Sequence, residues 1–428
     1  MRKMLLFFSL FLVCSSLFSQ SRVLVPAPPE KAGMSSERLQ RIDKLIQQYV
    51  DSGWIAGAIA IVAKDGNIVY HKAIGYDDRT KNKMLQKDAI FRIASQTKAI
   101  TSVGVMMLYE DGKLLLDDPI SKYIPEFRKP QVLDKFNAAD SSYTTVPAKR
   151  EITIRDLLTH TSGVGYAQIG TPTMNAIYYK AGVVGGIGLK PGTRLADNIK
   201  RLGPLPLMHQ PGEKWSYGLN TDILGYLIEV VSGMSLDDYF QQKIFTPLGM
   251  KDTWFYLPKD KLNRLAMLHT EDATHHVVNT PEVISLNGSM YRDYPITEGG
   301  SFYSGGGGLS STAYDYAIFM QMLLNGGEYN GKRLLSPTTI HLMTINQIGD
   351  LSLGRNAKFG LGFQVVTEAD EARNTVSLGS FSWGGMFASS YWIDPKEKIV
   401  AQFVLQQFPM SHGDLAEKFK VAVYQAIK

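Results

Sequence analysis

The chain has one cysteine in 428 residues, Cys14. It lies in an apolar N-terminal stretch that reads as a leader, so the remainder has no thiol. That excludes a disulfide framework and a cysteine nucleophile. Excess charge is also scarce: 45 Lys and Arg stand against 40 Asp and Glu, a net of +5, with no block of like sign. Neither nucleic acid nor a membrane surface is implied as a partner. No stretch beyond the leader is apolar enough to cross a bilayer. Internal repeats and low-complexity tracts are lacking. Metal-ligand spacing is lacking too. His275 and His276 are adjacent, would point apart on a strand and have no spaced carboxylate or thiol, so a solvated loop is the better reading. No cofactor and no metal are expected.

What is present is the composition of a soluble globular protein, 44% hydrophobic and 20% charged. The length allows two domains or subdomains around a sizeable core. Residues 1–20 read as a secretory signal: Arg2 and Lys3 give the positive start, and Leu5 to Val13 the short apolar run. A periplasmic or secreted protein is expected. Lipid attachment at Cys14 is the weaker alternative, because Val13 is larger than the small residue such sites want.

Strand-like and helix-like patterns divide along the chain. Ser36 to Tyr49 carries a helical apolar face through Leu39, Ile42, Ile46 and Val50. Two strand-like runs, Ile55 to Val62 and Ile68 to Gly75, flank the turn signal Lys64-Asp65-Gly66-Asn67. Residues 128–150 read as a polar surface loop. Thr221 to Val231 reads as a helix, and residues 256–304 as a long loop that could wall a pocket. Ala313 to Leu324 is again helical. Three strand-like runs follow, Phe359–Val366, Phe387–Ile393 and Ile399–Leu405, and then a closing helix at Leu415 to Ile427. The expected fold is α/β (α+β): an antiparallel sheet built from both chain ends and flanked by terminal helices, with a mostly helical domain inserted. The sheet domain would comprise 21–95 and 300–428, the inserted domain 96–299, with a cleft between them.

Three patches carry chemistry if they meet. The first is Ser95-Gln96-Thr97-Lys98, which opens an apolar helix closed by Asp111-Gly112. It is the one Ser in the sequence with a Lys three residues on. Lys98 falls on the same face as Ser95, one turn later. A hydroxyl is a poor nucleophile until a neighbour takes its proton, and a lysine does so only where its surroundings keep it neutral. Read without context, a capping Ser95 beside a solvated Lys98 explains the spacing as well. The second patch is Trp215-Ser216-Tyr217-Gly218-Leu219-Asn220, ahead of a helix, where a phenol beside a lysine could shuttle protons, or simply pack. The third is Trp383-Gly384-Gly385-Met386, leading into a strand. Two glycines permit close backbone approach to a ligand, and an edge N–H could stabilise an oxyanion; a bulge is the plainer reading.

Together these residues resemble the serine β-lactamase and penicillin-binding-protein superfamily, on its class C-like side. Ser95-x-x-Lys98 is similar to the nucleophile motif, Tyr217 to the Tyr of Tyr-x-Asn, and Trp383-Gly384-Gly385 stands where the family has Lys-Thr-Gly or His-x-Gly. Leu116 to Pro125 and Ile152 to Gly163 also look like the family, and the resemblance spans about residues 30–428. It implies a β-lactamase/transpeptidase-like fold and acyl transfer through Ser95, with Lys98 and Tyr217 as the coupled base. The N–H groups of Ser95 and Met386 would form the oxyanion hole.

Two departures bear on substrate. Trp383 replaces the cation of the third motif with an apolar plate. Leu219 replaces the motif Asn, with Asn220 one place further on as a substitute. Both changes remove groups suited to peptidoglycan or β-lactam substrates. The Trp-Gly-Gly motif looks like that of the family VIII-type esterases of this superfamily and of related acyltransferases, so the resemblance implies a small-molecule ester or amide, a carboxylic ester before a β-lactam. A β-lactamase or D-amino-acid peptidase, an acyltransferase, and a decayed binding protein are the alternatives. Arg292, in the 256–304 loop, could restore a carboxylate site. His160-Thr161-Ser162-Gly163 reads as a helix-ending turn rather than a triad base, since no G-x-S-x-G is present. Ser304 to Gly308 lacks the ending of a phosphate loop. Tyr178 and Tyr179 could line the pocket or merely pack. Oligomeric state has no signature.

Overall fold

The structure, a computed structural model, describes residues 23–428 apart from 190–191, 286–288, 297–298, 369–371 and 374. The leader and Cys14 lie outside the described residues. The principal elements are β1 (Val25–Pro26), α1 (Ser36–Asp51), β2 (Gly57–Lys64), β3 (Asn67–Asp78), α2 (Thr97–Glu110), α3 (Asn220–Ser232), α4 (Ala313–Leu324), β4 (Lys358–Phe359), β5 (Gln364–Val365), β6 (Phe381–Gly385), β7 (Ser389–Asp394), β8 (Ile399–Val404) and α5 (Asp414–Tyr424).

Period-two patterning builds one sheet in the order β1-β3-β2-β8-β7-β6-β5-β4, with Lys83–Met84 beside β3. Its pairings are antiparallel except β1 with β3. The first and last parts of the chain meet where β2 pairs β8, from Lys64 opposite Ile399 to Ile59 opposite Val404. The β2–β3 turn has Asp65 at φ 53° and Gly66 at φ 76°, the left-handed pair that a two-residue hairpin requires.

Alternation along the central strands separates two cores. Ala58, Ala60 and Val62 of β2, with Ile399, Ala401 and Phe403 of β8, face Leu39, Ile42 and Ile46 of α1 and Leu415, Phe419 and Val423 of α5. Ile59, Ile61 and Ala63, with Val400 and Val404, face the opposite way, toward α4 and the helical body. The sheet is therefore covered on both faces, and the mostly antiparallel sheet built from both chain ends and flanked by terminal helices is the architecture expected from the sequence.

Three stretches differ from the sequence reading. Residues 128–150 contain a β-hairpin, Gln131–Asn137 with Ser142–Pro147. Its second strand is exposed throughout, so it has no buried face to leave an apolar pattern. The 256–304 loop holds short ladders, His269–Glu271 with Val277–Asn279 and Val283–Ser285 with Ser289–Tyr291. The run Phe359–Val366 is two strands rather than one, because the chain reverses at Gly360 to Gly362, the latter at φ 97°. Conversely, the Trp383 segment, read as leading into a strand, is itself strand β6. No helix among the described residues is long and apolar enough to cross a membrane.

Candidate active site

Ser95 stands in a single 3-10 turn, Ala94–Gln96, that runs into α2. Its predecessor Ala94 is fully buried and held at φ 44°, a conformation that costs an L-residue energy and persists only where neighbours impose it. They do so here. Ile93 N–H donates to Leu309 O (3.0 Å), Tyr316 Oη to Gln96 O (3.0 Å), and Gln402 Nε2 to Gln96 Oε1 (2.7 Å).

Lys98, one turn on, is 2% exposed. Its Nζ donates to Ser95 Oγ (3.1 Å), Tyr166 Oη (3.0 Å) and Gly306 O (2.6 Å). Tyr217 Oη donates to Ser95 Oγ at 2.7 Å. Nζ also lies 4.7 Å from the centre of the Tyr217 ring, within cation–π range. A hydroxyl, an amine and two phenols from three separate parts of the chain thus share one hydrogen-bonded cluster.

Tyr217 is placed by the turn at 160–166. Ser216 N–H donates to His160 O (2.8 Å) and Leu219 N–H to Gly165 O (3.0 Å). A Cβ at Gly218 would collide with Val164 O, so only glycine permits this approach. His160 packs tilted against the Tyr217 ring, with centroids 5.0 Å apart. Burial, and then the charge of Lys98, push its pKa well below the ordinary histidine value, so the ring is neutral. Its Nδ1 accepts from Asn220 Nδ2 (2.9 Å).

That bond corrects the expectation for Asn220. Its side chain is fully buried, accepts from Ser162 Oγ and is absent from the cleft wall; it ties two turns together rather than meeting a ligand. Leu219 is likewise buried in the core.

The remaining predicted residues line the cleft, a cavity of about 920 Å³ that also contains Ser95, Tyr166 and Tyr217. Trp383 is half-buried, with ring centroids 5.6 Å from Tyr217, 5.3 Å from Phe359 and 6.4 Å from Trp215. Gly384, Gly385 and Met386 continue the wall. Within β6, β5 pairs with Phe381 and Ser382 alone, so among the described residues the end of β6 is an open edge on that side. A Cβ on Gly385 would stand 2.5 Å from Ile93 O, so glycine lets this edge close against the Ser95 turn.

Arg292 does not reach the cleft: it is held by Asp293 and by Thr280 O (2.8 Å). Arg355 and Arg373 are in its lining instead. Tyr178 is buried and accepts from Gly165 N–H (3.2 Å), while Tyr179 is exposed at the surface. His275 is exposed and bonds to Ser411, and no group of three metal-competent side chains occurs among the described residues.

Sequence reasoning missed two residues of the cluster. Tyr166 is buried beside Tyr217, ring centroids 5.3 Å apart, and burial raises its pKa. Asp222 lies behind Lys98 in the first turn of α3, and burial raises its pKa as well. Neither sits in a spacing that singles it out; only the meeting of the 160–166 turn, α3 and the Ser304–Gly308 loop does so.

The family model described as Beta-lactamase matches residues 42–425. The chain is 31% identical over 364 residues to esterase EstB of Burkholderia gladioli, covering 83% of this chain and 86% of EstB. Among solved structures it is similar to EstCE1, titled a hydrolase with promiscuous acyltransferase activity, at TM-score 0.78 and 27% identity, over 91% of this chain and 99% of EstCE1. It is also similar to simvastatin synthase (LovD) from Aspergillus terreus, at TM-score 0.73 and 26% identity, over 91% and 98% of the two chains. By motif, site geometry and these relations, the chain belongs to the β-lactamase family of serine hydrolases.

Proposed function

We propose that the protein is an esterase-type serine hydrolase that forms an acyl-enzyme on Ser95. The observation that carries this is the contact of Ser95 Oγ with both Tyr217 Oη (2.7 Å) and Lys98 Nζ (3.1 Å) inside an aromatic cleft. Ser95 Oγ attacks the ester carbonyl and its proton passes to the Tyr217–Lys98 pair. The N–H groups of Ser95 and Met386 take the oxyanion, and the pair returns the proton to the departing alkoxide. Water, or a second alcohol, then attacks the acyl-enzyme by the same route. Trp383 supports an ester over a β-lactam because it offers an apolar wall, and the likeness to EstB points the same way. Residues 1–20 act as a secretory leader in this reading, and an intact mass starting near residue 20 checks it.

The test is hydrolysis of short p-nitrophenyl esters, with intact mass spectra to locate the acyl group. Turnover by the wild type, and at least a roughly 10⁴-fold loss in Ser95→Ala, are expected. Wild-type-like turnover in that variant would sink the reading. A second reading, hydrolysis of β-lactams or D-amino-acid peptides, draws on Arg355 and Arg373 in the cleft lining, which could receive a carboxylate. Nitrocefin turnover well above that of simple esters would favour it.

A further inference from the structure

A glycine at 306 is not needed by its own backbone, since it is not among the glycines with positive φ. It is needed because a Cβ there would collide with the carboxylate of Asp222. That carboxylate is 1% exposed. Asp222 Oδ1 accepts from Ser304 Oγ (2.6 Å) and from Gly306 N–H (3.3 Å). The carbonyl of the same Gly306 accepts from Lys98 Nζ (2.6 Å), and Nζ donates onward to Ser95 Oγ (3.1 Å). The neighbouring residue is clamped in parallel: Thr101 Oγ1 donates to Gly305 O (2.7 Å). Residues 304–306 are therefore a relay held between α2 and α3, with a carboxyl at one end and the Ser95 hydroxyl at the other.

A buried carboxyl carries a desolvation cost that an apolar side chain avoids. Ser304 and Gly306 would be equally content with a neutral acceptor. Lys98 has no salt bridge among the described residues, and its positive charge acts on the buried Asp222 carboxyl.

We propose that Asp222 is a positioning residue for acylation: through Gly306 it fixes the Lys98 amine against Ser95 and balances the charge of that amine. The inference rests on the acyl-enzyme reading above. Its geometry agrees with the electrostatics. Burial raises the Asp222 pKa, while the Ser304 hydroxyl and the charge of Lys98 pull it back. The titratable groups facing Asp222 are Lys98 from α2 and Tyr166 from the 160–166 turn; Ser304 and Gly306 complete its surroundings.

The experiment measures the rate at which a fluorophosphonate labels Ser95, from pH 5 to 10, in full-length protein. This readout follows nucleophile activation without presuming the ester. Asp222→Ala is expected to slow labelling by about tenfold or more. Asp222→Asn keeps an acceptor for Gly306, so it should recover part of that rate. Having lost the carboxylate charge behind Lys98, it should move the midpoint of the pH–rate profile to lower pH. Gly306→Ala attacks the relay from the loop side and should slow labelling without adding to the effect of Asp222→Ala when the two are combined. If Asp222→Ala does not fold, Asp222→Asn and Gly306→Ala carry the decision. A folded Asp222→Asn protein with the wild-type midpoint overturns the proposal, whether or not its rate falls. Wild-type protein that is not labelled at Ser95 overturns the acyl-enzyme reading, and this inference with it. Normal wild-type labelling with an unmoved variant midpoint overturns this inference alone.

Discussion

The two walls of the cleft are built on opposite plans. On the helical side, Ser95, Lys98, Tyr166 and Tyr217 are joined by side-chain hydrogen bonds, backed by Asp222 and by the neutral His160. On the sheet side, β6 past Ser382 offers an open edge, two glycines and the half-buried face of Trp383. The first wall has little freedom, because the Lys98 amine and the Tyr217 hydroxyl already donate to partners within it. The second has few commitments, which suits a surface that must accept and release a substrate. In the proposed acyl-enzyme reading, proton transfer belongs to the buried wall and recognition to the open one.

The sharpest way to break that division is Tyr217→Phe. It keeps the ring packed among His160, Trp215 and Trp383 but removes the oxygen from Ser95. Turnover of p-nitrophenyl butyrate should fall by about 10²–10⁴-fold with KM little changed. An unchanged kcat would assign the proton to Lys98 alone. Trp383→Ala tests the other wall. It should raise KM for apolar esters by about tenfold, from lost burial of an aromatic face, and lower kcat less. If kcat falls while KM holds, the sheet wall takes part in chemistry and the contrast fails.

The smallest effect on rate, none, is expected of Asp315→Asn, on α4 and away from both walls. Burial pushes the Asp315 carboxyl up to about 6, while its donors are Asp252 N–H (2.7 Å) and Thr253 Oγ1 (3.0 Å). Its folded pKa lies above the unfolded value of 3.8, so the native state binds the proton more tightly. Through this group, stability is highest below about pH 4 and declines as pH rises to about 6. The variant should lack that decline, which urea midpoints at pH 4 and pH 6.5, compared with wild type, will show.

The contrast between walls also explains what the sequence disclosed. Ser95, Lys98 and Tyr217 belong to local patterns, a helix opening and a helix approach, that left plainer readings open; it was their order and spacing, resembling a known family, that singled them out. The sheet was readable because its central strands bury both faces and carry dense apolar runs. Tyr166 and Asp222 left no such trace, since their significance arises where a turn, a helix and a glycine loop come together. Asn220 was misread for a related reason: sequence proximity to Tyr217 placed it near the cleft, but the start of α3 turns its side chain inward to His160 and Ser162. The exposed hairpin at 131–147 was invisible because a strand without a buried face has no hydrophobic alternation.

The joining of β2 to β8 has a consequence for biogenesis. The Ser95 turn is made early in translation, whereas the edge that closes against it, and the strands supporting that edge, come near the end. A nascent or truncated chain that lacks β7 and β8 holds Ser95, the proposed nucleophile, with the opposite wall unsupported. If the esterase reading holds, activity waits on completion of synthesis, and a chain shortened to remove β7 and β8 should be inert toward esters even with every residue of the Ser95 cluster intact.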